Sequence, residues 1–532
     1  MDLDENLIQR INVGDMLTRT AALRPTQLAL VDRGVDGERR WTYAELNAWV
    51  NRLAHGLAGR GYARGAALGL ASANSAEFLA VYFACAKLGV VCVPMNLGWR
   101  PDEVAYVLGH SQARGIVVES QLVGAMTEGI TKVSDVVDVV VAPGTGAEYA
   151  ASPEDRRWST LDDLLAEDTS EPEVVVEDAD GLSYLYTSGT TSFPKGVVGS
   201  HKAIYLGSMS GALEAGWNAG DRFVAMMPMF HTAQLNAFCT PAVLVGATIH
   251  VHRGFDPAAF LDAIERERIT QVFGLPMMFR AALEHPSFAG RDLSSLKRAV
   301  YAMAPMPDAL IRACLEGFGC DFALLFGQTE MSPVTTLFRP EHQLTHIGAV
   351  GTPITGVQVG IMGPEGELLP QGEQGEIVYR GPSTMNGYLR NPEATGEAFV
   401  HGWFHSGDVG RFDADGVLWF ADRYKDVIKT GGENVASIEV EKAVYAADPR
   451  VAEVVVVGLP HERWSEAITA VVVPKPGETI DEAELLVALK QRLDGYKVPK
   501  SVIVTSGLPK TSTGKIQKNV VRDAHTSHYR SS

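Results

Sequence analysis

Six small or hydroxylated residues, Thr187, Ser188, Gly189, Thr190, Thr191 and Ser192, stand directly before Phe193-Pro194-Lys195-Gly196. Small side chains let backbone N–H groups approach an anion, hydroxyls donate to phosphate oxygens, and Lys195 adds charge. The chemistry on offer is the cradling of a polyphosphate; the plainer alternative is a solvated turn. A Walker loop is excluded. That pattern needs glycine where Pro194 stands, and Ser or Thr where Gly196 stands.

Four further segments carry reactive side chains: "FGQTEMSPVTT" (Phe326 to Thr336), "WFHSGDVG" (Trp403 to Gly410), "DRYKDVIKTGGENV" (Asp422 to Val435) and "PKTSTGKIQK" (Pro509 to Lys518). Together with "YTSGTTSFPKG", in this order and spacing, they resemble the motifs of the adenylate-forming superfamily. That group holds acyl-CoA synthetases, aryl-CoA ligases, luciferases and peptide-synthetase adenylation domains. The resemblance covers nearly the whole chain and is nearest to acyl-CoA synthetases of the fatty-acid or aryl type.

The resemblance implies a two-step ligase using ATP, Mg²⁺ and coenzyme A. A carboxylate attacks the α-phosphorus, giving acyl-adenylate and pyrophosphate; a thiol then takes the acyl group and AMP leaves. The first step calls chiefly for neutralisation of crowded phosphates. It implies that Thr187, Ser188, Gly189, Thr190, Thr191 and Lys195 hold the β- and γ-phosphates. Lys515 is implied as the catalytic lysine. Thr329 and Glu330 are implied at the α-phosphate and the metal, which takes one or two carboxylates plus phosphate oxygens. Ala302, Phe326, Gly327 and Gln328 are implied around the nucleotide, with Phe326 against adenine. Asp408 is implied to meet the ribose hydroxyls, Arg423 to hold ribose or phosphate, and Lys429 to contact the adenylate. Lys425 matches the hinge about which the small domain swings between half-reactions. Gly431 and Gly432 match the thiol tunnel, where a bare backbone admits the pantetheine arm; read as residues alone, the pair is a turn.

"MPMFHTAQLNAF" is implied to line the acyl pocket. It contains no Asp to meet a substrate ammonium, so the acid lacks an α-amino group. His231 is implied near the carboxylate, and Gln234, Asn236, Phe238 and Met303 are pocket candidates; core packing explains Gln234, Asn236 and Phe238 equally well. Two segments depart from the family. Ser192 replaces a glycine, which at φ > 0 adds roughly 1–2 kcal/mol of strain. Ala302 and Met303 replace small residues, and the flexible Met303 thioether suits irregular apolar ligands. The departures keep three other readings open: thioester formation from a preformed acyl-adenylate only, loading of a carrier-protein thiol, and a nucleotide-binding regulator without turnover.

These residues need elements to position them. From Trp41 to Pro340 helical and strand patterns alternate, which predicts doubly wound α/β layers with parallel strands. Thr42 and Glu45 have capping-box spacing. "GAALGLA" and "VVCVPMN" read as strands around the helix "SAEFLAVYFACAKLG". Past Gly351, Gly- and Pro-broken strands predict a β-rich subdomain. A compact, mobile α+β domain follows, so the predicted domains are 1–422 and 423–532.

The chain has 532 residues, 46% of them hydrophobic, enough for more than one core. A net charge of −18 argues against nucleic acid or an anionic membrane as partner. The last segment, Gly495 to Ser532, reverses that sign, which reads as a solvated tail or a face for a polyanion. Five cysteines without CxxC predict reduced core thiols. The acidic start has no apolar leader and no apolar run spans a bilayer, so a cytoplasmic monomer or homodimer is expected.

Overall fold

Ala76–Leu88 is apolar around nearly its whole circumference, and all thirteen of its residues are buried. Ser75 caps it and Gly89, at φ +67°, ends it. Its two buried charges are paired: Glu77 with Arg39 at 2.6 Å, and Lys87 with Glu171 at 2.5 Å. The strands on either side, Ala67–Ala71 and Val91–Pro94, are fully buried and run parallel. Continuous burial is what their unbroken apolar runs require. Thr42 and Glu45 form both halves of the capping box at the start of Tyr43–Gly59.

The protein is described here from a computed structural model covering residues 2–34, 37–144, 158–187, 194–303, 306–510 and 516–529. Among these residues an eight-stranded sheet runs in the order Gly387–Tyr388, Lys195–Ser200, Gly181–Thr187, Val91–Pro94, Ala67–Ala71, Ala113–Glu119, Asp138–Ala142, Trp158–Thr160. Its last six strands are parallel, and its first two join antiparallel. A nine-stranded sheet has a parallel centre that includes Arg298–Tyr301 and Asp321–Gly327, with antiparallel strands at both ends. The fold is thus mixed α/β with parallel sheets, as the alternating pattern predicted.

Past Gly351 a four-stranded sheet forms from Gln358–Met362, Gly375–Arg380, Phe404–Phe412 and Leu418–Arg423, in that order. The smaller C-terminal part is α+β. Its long hairpin, Val451–His461 with Ser465–Pro474, takes Ile428–Thr430 and Ser501–Val504 as further partners of Ser465–Pro474 and is packed by Ser437–Ala447 and Glu482–Lys490. By contacts the chain divides into two compact units, Met1–Val359 with Tyr379–Phe404, and Gly360–Val378 with His405–Ser532. No described helix is long and apolar enough to cross a membrane.

The cysteines are free thiols, four buried and Cys320 partly so. Burial pushes the Cys239, Cys314 and Cys320 thiols up to about 12. Most of the local cation excess near the C-terminus is neutralised within the second unit. Lys497 meets Glu439 at 2.8 Å, Lys510 meets Glu453 at 2.5 Å, Lys518 meets Glu441 at 2.8 Å, and Arg522 meets Asp426 at 3.4 Å.

Candidate active site

Thr187 and Lys195 face each other as the last pair of an antiparallel ladder, Gly181–Thr187 against Lys195–Ser200. The hydroxyl-rich run therefore joins two strands of one hairpin. A Walker loop instead leads from a strand into a helix, so topology excludes it as the residue pattern does. Ser188, Gly189, Thr190, Thr191 and Ser192 lie outside the described residues. Beneath the hairpin, the Tyr186 hydroxyl bonds His110 Nδ1 at 2.8 Å. Backbone is close here too: a Cβ on Gly196 would sit 3.1 Å from the Tyr186 ring.

The second strand of the hairpin carries a further neighbour, the two-residue strand Gly387–Tyr388, which pairs antiparallel with Val197 and Val198. Tyr388 brings two of the expected residues together. Its hydroxyl donates to Glu330 Oε1 at 3.0 Å, and the Lys195 ammonium lies 4.9 Å from its ring centroid. Glu330 stands in a short 3₁₀ turn, Thr329–Met331, and its carbonyl accepts from the Met385 N–H at 2.7 Å. Tyr388 was not singled out from the sequence. Its only signal there is a Gly-Tyr pair before the Asn391 cap and Pro392 of the next helix.

Phe326 and Gly327 end the strand Asp321–Gly327. Gly327 is required for space, since a Cβ would lie 2.0 Å from the Pro333 carbonyl oxygen. Gln328 Nε2 is buried with no hydrogen-bond partner among the described residues. Ala302 is buried just past Arg298–Tyr301. Met303 follows at φ +71° and is 49% exposed. It is a non-glycine residue in left-handed backbone.

His231 precedes one continuous helical stretch whose middle, Leu235–Cys239, is a π turn. Such turns are frequent at functional sites. The His231 ring packs 4.5 Å from Phe230, and its buried Nε2 has no partner among the described residues. Burial lowers its pKa to about 4, so the imidazole is neutral near pH 7. Gln234, Asn236 and Phe238 are buried. Gln234 Oε1 accepts from the Met227 N–H at 3.0 Å, and Asn236 Oδ1 accepts from the Tyr82 hydroxyl at 3.0 Å. Phe238 stacks between Phe223 and Phe273.

In the second unit, Asp408 and Arg423 are cross-strand partners, and Arg423 Nε lies 3.2 Å from Asp408 Oδ1. Lys425 is exposed in the turn that follows, where the Asp426 N–H donates to the Arg423 carbonyl at 2.8 Å. Lys429 is exposed on Ile428–Thr430. Gly431 and Gly432 connect Ile428–Thr430 to Glu433–Val435 at φ +60° and +90°. Positive φ at both central residues is what a two-residue hairpin of this type needs, so the turn reading of this pair describes its geometry. Lys515 lies outside the described residues.

The family model described as AMP-binding enzyme matches residues 17–389, and that of the AMP-binding enzyme C-terminal domain matches residues 439–515. A feruloyl-CoA synthase from Amycolatopsis sp is 37% identical over 510 residues, covering 96% of this chain and 98% of that protein. An indoleacetate–CoA ligase from Aromatoleum aromaticum is 33% identical over 514 residues, covering 96% and 98%. The crystal structure of ATP-bound MatB from Rhodopseudomonas palustris superposes with a TM-score of 0.87 at 28% identity, covering 98% and 100%. The chain belongs to the AMP-binding, adenylate-forming enzyme family. At the level of that family it is an AMP-forming acid–thiol ligase, using ATP and coenzyme A to join an acyl or aryl acid to a thiol.

Proposed function

We propose that this ligase activates a hydrophobic carboxylic acid without an α-amino group and transfers it to coenzyme A. The observation that carries the reading is the grouping of Lys195 and Glu330 on one side chain, Tyr388, beside the hydroxyl-rich hairpin. A cation and a carboxylate so placed suit a nucleotide triphosphate and its counter-ion. The substrate carboxylate oxygen attacks the α-phosphorus and pyrophosphate leaves. The thiol sulfur then attacks the acyl carbon, the acyl–phosphate bond breaks, and AMP departs. Lys515 bridges carboxylate and α-phosphate in the first step. Asp408, with Arg423, holds the ribose, Phe326 faces adenine, and Lys429 contacts the adenylate. Lys425 is the hinge of a domain rotation, and Gly431 with Gly432 borders the thiol path.

Glu330 fits a divalent ion. One carboxylate oxygen is held by Tyr388 and the other has no partner among the described residues, which suits Mg²⁺ completed by phosphate oxygens and water. When bound, Mg²⁺ neutralises phosphate charge. The apolar character of the acid rests on "MPMFHTAQLNAF", which lacks an acidic residue, on neutral His231, and on the aromatic acids in the names of two relatives.

The test supplies a panel of aryl and fatty acids with ATP, Mg²⁺ and coenzyme A, and separately synthetic acyl-adenylate with coenzyme A. Pyrophosphate and thioester are read independently. Both are expected from the full mixture with at least one apolar acid. Lys515→Ala should lose pyrophosphate release and keep transfer from supplied adenylate. Thioester from adenylate alone, with no pyrophosphate from any acid, would overturn the complete-ligase reading.

A further inference from the structure

We infer that Tyr388 is a positioning residue that keeps Lys195 and Glu330 apart, so that each stays available to the magnesium–nucleotide complex. The inference rests on the reading of the hairpin and Glu330 as the nucleotide site. Two observations support it. Tyr388 touches both charged groups at once, Glu330 through its hydroxyl at 3.0 Å and Lys195 through its ring face at 4.9 Å. Both charged groups contact this one side chain and opposite charges attract, yet among the described residues Lys195 and Glu330 form no ion pair with each other. The negative face of the ring meets the ammonium while the hydroxyl meets the carboxylate.

The backbone makes this geometry firm. Tyr388 is in register with Val197 on the strand that Lys195 begins, its N–H donates to Thr395 Oγ1 at 2.9 Å, and the same segment binds the Glu330 carbonyl through Met385. Both ends of the spacing are thus fixed to the short segment from Met385 to Tyr388. If Tyr388 were only packing, its hydroxyl could have met any acceptor. It meets the one carboxylate in this cluster.

Two variants separate these roles. Tyr388→Phe removes the hydroxyl and keeps the ring; Tyr388→Leu removes both. Binding of a non-hydrolysable ATP analogue is measured by calorimetry with and without Mg²⁺, alongside thioester formation from synthetic acyl-adenylate. Tyr388→Phe is expected to weaken magnesium-dependent binding about tenfold, the scale of a lost hydrogen bond to a charged group. Binding without Mg²⁺ should stay within twofold. Tyr388→Leu should weaken both, because Lys195 is then free to pair with Glu330. Transfer from supplied adenylate should persist in both variants, reporting an intact fold. In a Glu330→Gln background, Tyr388→Phe should have no further effect. Magnesium-dependent binding within twofold of wild type in Tyr388→Phe, or the same tenfold loss in the Glu330→Gln background, overturns the positioning of Glu330 by the hydroxyl, and magnesium-free binding within twofold of wild type in Tyr388→Leu overturns the spacer role of the ring. If the wild-type chain itself fails to bind the analogue with Mg²⁺, the site reading has failed and the spacer role falls with it.

Discussion

Arg423 stands directly across the antiparallel ladder from Asp408, with its Nε 3.2 Å from Asp408 Oδ1. Asp408 is buried and Arg423 half-buried, so the guanidinium holds the carboxylate in one orientation while leaving it acceptor capacity. Asp408→Asn keeps the shape and removes the charge. The KM for ATP should rise between about tenfold and a hundredfold, the scale of one or two hydrogen bonds to a charged group. The KM for coenzyme A should not move. Initial-rate kinetics decide it, and an unchanged ATP KM would remove Asp408 from the ribose site.

The glycine pair separates structure from chemistry. A Cβ on Gly431 would lie 3.2 Å from the Trp464 ring, whereas one on Gly432 meets nothing within 4 Å. Both residues have positive φ, so alanine costs roughly 1–2 kcal/mol at either. Gly431→Ala carries the additional crowding and should unfold at lower denaturant. Gly432→Ala should stay folded and release pyrophosphate normally, but make thioester more slowly. Equal rates for thioester formation in Gly432→Ala and wild type would take this hairpin off the thiol path.

Four histidines of the larger unit make it acid-sensitive. Burial lowers His201 and His250 to about 3, and His231 and His252 to about 4, from an ordinary 6.5. In the unfolded chain these side chains take up protons near pH 6.5; in the folded chain they resist until pH 4 or 3. Stability is therefore fully present above about pH 6.5 and falls as the pH drops through that window. With four groups protonated only in the unfolded state, the slope near pH 5 approaches roughly 5 kcal/mol per pH unit. Urea unfolding at pH 7, 6 and 5 should show the midpoint of this unit dropping steeply. A midpoint that holds constant from pH 7 to 5 contradicts the burial of these rings.

Met303 places a long side chain in left-handed backbone, at φ +71°. The conformation costs roughly 1–2 kcal/mol for a non-glycine residue, while glycine gives back about 0.5–1 kcal/mol through unfolded-chain entropy. Met303→Gly should be neutral or stabilising by up to about 1 kcal/mol. If Met303 also borders the acyl group, the variant should shift preference toward bulkier acids. Thermal unfolding together with the acid panel tests both parts. A clear loss of stability would mean that packing by the thioether outweighs the strain.

What could be read along the chain was local. Thr42 and Glu45 are one helical turn apart, so their spacing alone specified the capping box. Gly431-Gly432, taken as residues alone, read as a turn because few other residues accept positive φ twice in succession. The unbroken apolar runs of Ala67–Ala71 and Val91–Pro94 announced buried parallel strands, since both faces of such strands are covered. The ordered motifs indicated the family and its chemistry.

The rest depended on which distant segments pair. Tyr388 meets Glu330 across 58 residues because a two-residue strand adds to the edge of the hairpin, a register that no local pattern encodes. Asp408 faces Arg423 only because the ladder between them shifts register at Val409/Gly410. The cationic stretch near the C-terminus looked uncompensated along the chain, yet Lys497, Lys510, Lys518 and Arg522 each find an acid supplied by an earlier segment of the second unit. Periodicity, capping and turn chemistry act over a few residues and are written in residue order. Register, charge pairing and the burial that lowers four histidine pKa values arise only when the sheets close and remote side chains lose water together.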